Sequence, residues 1–160
     1  MAWRVKKKFK SFKEALEFYK QEYLGINTDI RGEKIYFTES AFPHLIDLSY
    51  QGDRNATVLL GKIYKGELTF KNSEYQHYRL CHLPSIKLLY THPDEIWRDF
   101  KDEKYEHYLK YITLGKSKKI PAQTFLVKKT DKGFYVPVSC YPVHEGYLKK
   151  IKTTDLLWSK

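Results

Sequence analysis

Phe12, Ala15, Leu16, Tyr19 and Tyr23 recur at spacings of three and four, which places their side chains along one face of an α-helix. Ser11 precedes the run and Glu14 stands three residues on, the spacing of a capping box. Gly25 marks the expected helix end. Lys34-Ile35-Tyr36-Phe37-Thr38 reads as a short strand. Residues 39–46 follow as a turn, with Pro43 near the start of a helical piece. Residues 55–64 return to the helical period and stop near Gly66. Residues 74–90 keep that period, but Pro84 interrupts it and predicts two pieces or a kink. His92-Pro93-Asp94-Glu95 reads as a turn.

The pattern then changes. Residues 105–113, 123–130 and 133–143 are rich in aromatic and β-branched side chains, the mark of strands. Turn chemistry separates them: Gly115 with Pro121, then Asp131-Lys132-Gly133. Helices first and a meander afterwards predict an α+β fold, with N-terminal helices packed on a C-terminal antiparallel sheet of about four strands. The chain has 160 residues and shows no repeat, low-complexity tract or linker, so residues 1–160 read as a single domain.

The last hairpin carries the most chemical information. With a two- or four-residue loop at Asp131-Lys132, Lys128 opposes Tyr135 and Thr124 opposes Ser139. Phe125, Val127, Phe134, Val136, Val138 and Cys140 then form a core face. Thr124, Lys128, Tyr135, Ser139 and Tyr141 form the other, with Leu126 and Pro137 among them. A three-residue loop would reverse the parity. A cation, hydroxyls and phenols on one face suit phosphate binding; the same pattern also fits an ordinary solvated sheet face. Pro137 implies a bulge or an edge in this strand.

Charge narrows the partners. There are 29 Lys and Arg against 19 Asp and Glu, a net charge of +10, which favours polyanions: nucleic acid first, an anionic membrane surface second. The 14 Tyr add stacking faces and hydroxyls, although most of them belong to ordinary packing. Arg4 to Lys10 form a basic segment that either binds phosphate or is a solvated arm. Cys81 and Cys140 fit neither a zinc site nor a redox pair, and the expected compartment is a reducing cytoplasm. No apolar run approaches the ~20 residues of a membrane helix.

Proton transfer would fall to histidine, whose pKa lies near neutrality. The six are His44, His77, His82, His92, His107 and His144. None pairs at metal-binding spacing with a carboxylate, so no metal or cofactor is expected. His107 shares its strand face with Leu109 and Tyr111, which points to packing, and His92 sits in a turn. Cys81 and His82 are adjacent and point to different sides of a helix. His44, in Phe42-Pro43-His44-Leu45, has an apolar neighbourhood that could hold its ring. There is no Gly-rich phosphate loop and no Gly-x-Ser-x-Gly.

The order of several short motifs resembles a known family. Ile35-Tyr36-Phe37 is followed by His44. The Ile-Trp of residues 91–97 leads into Tyr108-Leu109-Lys110, Thr124-Phe125-Leu126-Val127-Lys128 and Val138-Ser139-Cys140-Tyr141-Pro142. Over residues 33–143 this is similar to the phage-associated nucleases of the Barnase–EndoU–colicin–RelE ribonuclease superfamily. The resemblance implies helices before an antiparallel sheet that holds the site. It implies a metal-independent endoribonuclease, a toxin or a phage or mobile-element effector, that cuts RNA by transesterification to a 2′,3′-cyclic phosphate. His44 would serve as acid or base, Lys110 or Lys128 would steady the phosphate, and Ser139 with Tyr141 would complete the site. Thr124 and Tyr135 would contact substrate, with His82 and His144 as candidates for a second histidine. An acidic immunity protein or antitoxin is the implied partner. The alternative is a relative that binds RNA or DNA without cutting it.

Overall fold

A computed structural model describes residues 3–72, 78–112 and 121–160, the side chain of Tyr78 excepted. The predicted start of the third helical stretch, the predicted turn at Gly115 as far as residue 120, and His77 lie outside these residues. Among the described residues there are six α-helices: α1 Phe12–Tyr23, α2 Ala41–Leu45, α3 Ala56–Tyr64, α4 Tyr78–Cys81, α5 Ile86–Thr91 and α6 Glu145–Ile151. Seven strands accompany them: β1 Gly25–Thr28, β2 Lys34–Phe37, β3 Glu95–Arg98, β4 Tyr105–Tyr111, β5 Ala122–Lys129, β6 Tyr135–Val143 and β7 Leu156–Ser159.

The α+β class matches the expectation, but the sheet is larger and mixed. It has seven strands in the order β1-β2-β6-β5-β4-β3-β7. β3 to β6 form the antiparallel meander, and β2 joins β6 in parallel through Ile35 and Tyr135. The extra strands β1, β3 and β7 each have four residues. So short a run shows little alternation, and tertiary pairing decides its state. β3 begins at Glu95, the last residue of the predicted turn, and takes in Ile96 and Trp97.

The helix signals act as their chemistry dictates. Ser11 Oγ accepts from the Glu14 amide at 3.0 Å, and Asn55 Oδ1 accepts from the Val58 amide at 3.1 Å to cap α3; each satisfies a donor that the helix itself cannot. Pro84 divides the 74–90 stretch into α4, a 3-10 turn at Leu83–Ser85 and α5. Phe12, Ala15, Leu16, Tyr19 and Tyr23 of α1 are all buried. They join Ile35, Phe37, Phe42, Tyr90, Tyr108 and Phe125 in one core cluster. Phe37 stacks on Tyr23 and Phe125 at ring-centroid distances of 5.4 and 5.9 Å.

A second, smaller cluster joins Leu109, Ala122 and Val143 of the sheet to Leu148 and Ile151 of α6. Beside the main core lies a charged network. Arg31 bonds Glu106 at 2.9 Å and Asp29 at 2.9 Å. Tyr108 donates to Asp29 at 2.6 Å, and Tyr135 donates to the other Glu106 oxygen at 2.7 Å. It joins the β1–β2 turn to β4 and β6. Both carboxylates are buried, each matched by the cation and by phenol donors, as buried charge requires.

Candidate active site

The site rests on the β5–β6 hairpin, so its loop decides which residues can meet. The Thr130 amide donates to Phe134 O at 2.8 Å, and the Gly133 amide donates to Thr130 O at 3.0 Å. The loop therefore has three residues, Asp131 to Gly133, with Gly133 in the left-handed region at φ 89°. This is the parity-reversing case. Lys128 opposes Val136, and Lys129 opposes Tyr135. Tyr135 and Pro137 turn to the core instead of Phe134, Val136 and Val138, which are only half-buried.

The strand then corrects itself. The register shifts between Leu126 and Val127, so Val127 opposes Pro137 while Leu126 opposes Ser139 and Thr124 opposes Tyr141. One extra residue in β6 is a β-bulge, placed beside the proline that cannot donate to the ladder. From Ser139 onward the predicted facing returns. Thr124, Lys128, Ser139 and Tyr141 thus share a face, and Tyr135 does not. Tyr135, only 2% exposed, is committed to Glu106, which removes it as a substrate contact.

Arg79 of α4 completes the arrangement. Its Nη1 lies 3.3 Å from Ser139 Oγ, and its guanidinium carbon sits 5.5 Å from the Tyr141 ring centroid. The same Nη1 is 4.0 Å from Asp47 Oδ2. Asp47 also pairs with Arg54 at 2.7 Å and has the left-handed φ of 55°, uncommon outside glycine but tolerated by Asp. Its amide donates to His44 O at 3.1 Å, closing the end of α2. α2 packs beside β6, and His44 is exposed on it. Lys128 is half-buried, its Nζ 5.6 Å from the Tyr105 ring centroid. A guanidinium, an ammonium, a hydroxyl and a phenol ring here offer donors and positive charge to a phosphate.

Behind this surface the hydroxyls are already engaged. Thr124, 0% exposed, lies 2.9 Å from His107 Nδ1, and His107 Nε2 lies 2.7 Å from Asp99 Oδ1. Asp99 can only accept, so Nε2 carries the proton and the Thr124 hydroxyl donates to Nδ1. Burial lowers the His107 pKa, against the opposing pull of Asp99, so the ring is neutral. Asp, His and Thr stand in the order of a nucleophile relay, but the buried hydroxyl cannot meet a substrate. Thr124 is therefore a structural member of the site. Tyr141 shares a 3.1 Å hydroxyl contact with Tyr147 of α6. Burial, and then that contact, raise the Tyr141 pKa, so its phenol stays protonated.

Three other expected residues are Lys110, His82 and His144. Lys110 opposes Gln123 and thus lies on the sheet face opposite to Lys128. Its Nζ donates to His92 O at 2.7 Å and sits 5.6 Å from the Trp3 ring centroid. His82 is buried between α4 and the 3-10 turn. Desolvation, with Arg4 and Lys6 adding to it, pushes its pKa down to about 4. His144 is exposed at the N-cap of α6, and its side chain makes no capping bond.

Nothing in the local sequence marks Arg79. It lies in an interrupted helical stretch, 60 positions from Ser139, and no spacing rule joins the two. Among the described residues, no group of three His, Cys, Asp or Glu side chains could hold a metal ion. No helix there is long and apolar enough to cross a membrane. Comparison with protein-family models, curated proteins and solved structures gave no match to this chain.

Proposed function

We propose that the protein is a metal-independent endoribonuclease whose site comprises His44, Arg79, Lys128, Ser139 and Tyr141. The observation that carries this reading is the Arg79 guanidinium, which reaches the Ser139 hydroxyl and the Tyr141 ring beside the helix that bears His44. An exposed imidazole suits the first proton transfer. His44 takes the proton of the ribose 2′-hydroxyl as that oxygen attacks phosphorus. The bond from phosphorus to the 5′-oxygen breaks, and the leaving oxygen takes a proton from water. The products are a 2′,3′-cyclic phosphate and a 5′-hydroxyl. Arg79 and Lys128 offset the charge gathering on the non-bridging oxygens, Ser139 donates to one of them, and the Tyr141 ring supports a base or the Arg79 plane.

A second reading is a module that binds RNA without cutting it. It is favoured by how many hydroxyls the protein itself uses: those of Thr124, Tyr135 and Tyr141 all meet protein partners. Incubating purified protein with total RNA in EDTA separates the two. Fragments ending in cyclic phosphate, absent with His44→Ala and with Ser139→Ala, are the outcome expected of the enzyme. Intact RNA in a salt-sensitive complex would leave the binding module, and cleavage that survives both substitutions would place the site elsewhere.

A further inference from the structure

Before Glu14 the chain carries Arg4, Lys6, Lys7, Lys8, Lys10 and Lys13 and no acidic residue. A tract of this kind is ordinarily a loose arm. Here it is pinned. Trp3 Nε1 donates to Tyr111 O at 2.7 Å. The Val5 amide donates to Ser85 Oγ at 2.8 Å, and that hydroxyl donates back to Val5 O at 2.9 Å. The Lys7 amide donates to Cys81 O at 2.9 Å. Phe9 is buried in the main core.

The amides of Val5 and Lys7, two positions apart, both turn to residues 81–85, the end of α4 and the 3-10 turn that follows it. That is the alternation of an extended chain, in which side chains of one parity lie roughly 6.7 Å apart. Lys6, Lys8 and Lys10 form one such row and are exposed. The carboxylate partners that Lys20, Lys62 and Lys152 find elsewhere have no counterpart for these three among the described residues. The row begins at Arg4, whose Nη1 donates to Gln123 Oε1 at 3.2 Å. Gln123 Nε2 in turn approaches Cys140 Sγ at 3.4 Å; both lie on the sheet face opposite to Ser139 and Tyr141, and the arm meets the elements of the site at α4, where Cys81, the partner of Lys7, stands two residues from Arg79.

We propose that residues 4–10 form a fixed track for the phosphate backbone of single-stranded RNA alongside α4, the helix that bears Arg79. The proposal rests on the RNA reading above and extends it from one phosphate to several. A single row of ammonium groups matches one sugar–phosphate strand. A membrane-binding arm would instead need several apolar residues free to insert, whereas Phe9 is buried, the Trp3 indole is hydrogen-bonded to the protein and Val5 alone of the three is exposed.

The test uses the full chain and a 2′-O-methyl oligonucleotide, which can be bound but not cut. Affinity is measured against salt for the wild type, for Lys6→Gln with Lys8→Gln and Lys10→Gln, and for a charge-matched control. The control changes the exposed Lys71, Lys132 and Lys149 to Gln. Each single-strand phosphate contact contributes about 0.7 to the slope of log affinity against log salt, so loss of the row should lower the slope by about 2. The control should keep the wild-type slope. Equal slopes in both triple variants, or no binding by the wild type, would overturn the track. So would a loss on phosphatidylserine vesicles that exceeds the loss on the oligonucleotide. Cleavage of natural RNA is scored separately. An arm-dependent slope without cleavage keeps the track and removes the enzyme; cleavage with an arm-independent slope does the reverse.

Discussion

Single residues in this protein are given their roles by what they touch. The facing of Ser139 depends on the bulge beside Pro137, which offsets the three-residue loop; Lys128 was legible from parity along β5 alone. Arg79 was not, because its partners lie across the fold. Its planar fork reaches Ser139 and Asp47 and lies near the Tyr141 ring. An ammonium cannot reproduce that set of contacts. Removing a cation of this kind from the transition state typically costs on the order of 100-fold in rate. If the protein is the ribonuclease proposed above, Arg79→Ala should therefore lower kcat/KM for RNA cleavage about 100-fold, and Arg79→Lys should recover only part of the loss. Unchanged kinetics in Arg79→Ala would exclude the guanidinium from the chemistry. Thr124 teaches the complementary lesson. Its type and facing matched the expectation, but the hydroxyl is spent on His107.

At the scale of the element, the hairpin shows how a chain can reverse its parity and then restore it. Three loop residues put Tyr135 on the core side, and the bulge after Pro137 returns Ser139 and Tyr141 to the face of Lys128. The loop depends on Gly133, whose φ of 89° is open to glycine and strained for other residues. A Cβ there would meet nothing within 4 Å, so substitution tests the backbone alone. Gly133→Ala should destabilise the fold by about 1–2 kcal/mol, read as a lower urea midpoint with an unchanged m-value. A midpoint equal to that of the wild type would mean that the turn accepts another geometry. The helix caps at Ser11 and Asn55 belong to the same scale but are local, which is why the Ser11 cap could be read in advance.

Across the whole molecule, long-range links hold the elements in place. The Arg31 network joins three parts of the chain through two buried carboxylates, with Glu106 75 positions from Arg31. Removing one member of a buried ion set leaves the others uncompensated, and the cost is about 3–5 kcal/mol. Arg31→Met should thus be among the most destabilising single changes, visible in thermal or urea unfolding. A loss below about 1 kcal/mol would show that water or rearrangement compensates. The network also explains why Tyr135 left the expected site, since its phenol completes the hydrogen bonding of Glu106.

The sequence by itself determined the α+β class, the capped first helix, the break at Pro84, three of the four strands of the meander and the excess of positive charge. Each of these is set by neighbours within a few positions: periodicity, a capping hydroxyl, a missing amide proton, a sum of charges. The tertiary structure alone decided the seven-strand order, the parallel join of β2 to β6, the pairing of Arg79 with Ser139, the opposite facing of Lys110 and the burial of Thr124 against His107. These depend on contacts between residues tens of positions apart, where free energy is gained only once the chain has closed on itself. Local pattern cannot encode them, because a four-residue strand or a lone arginine carries no mark of the partner it will meet.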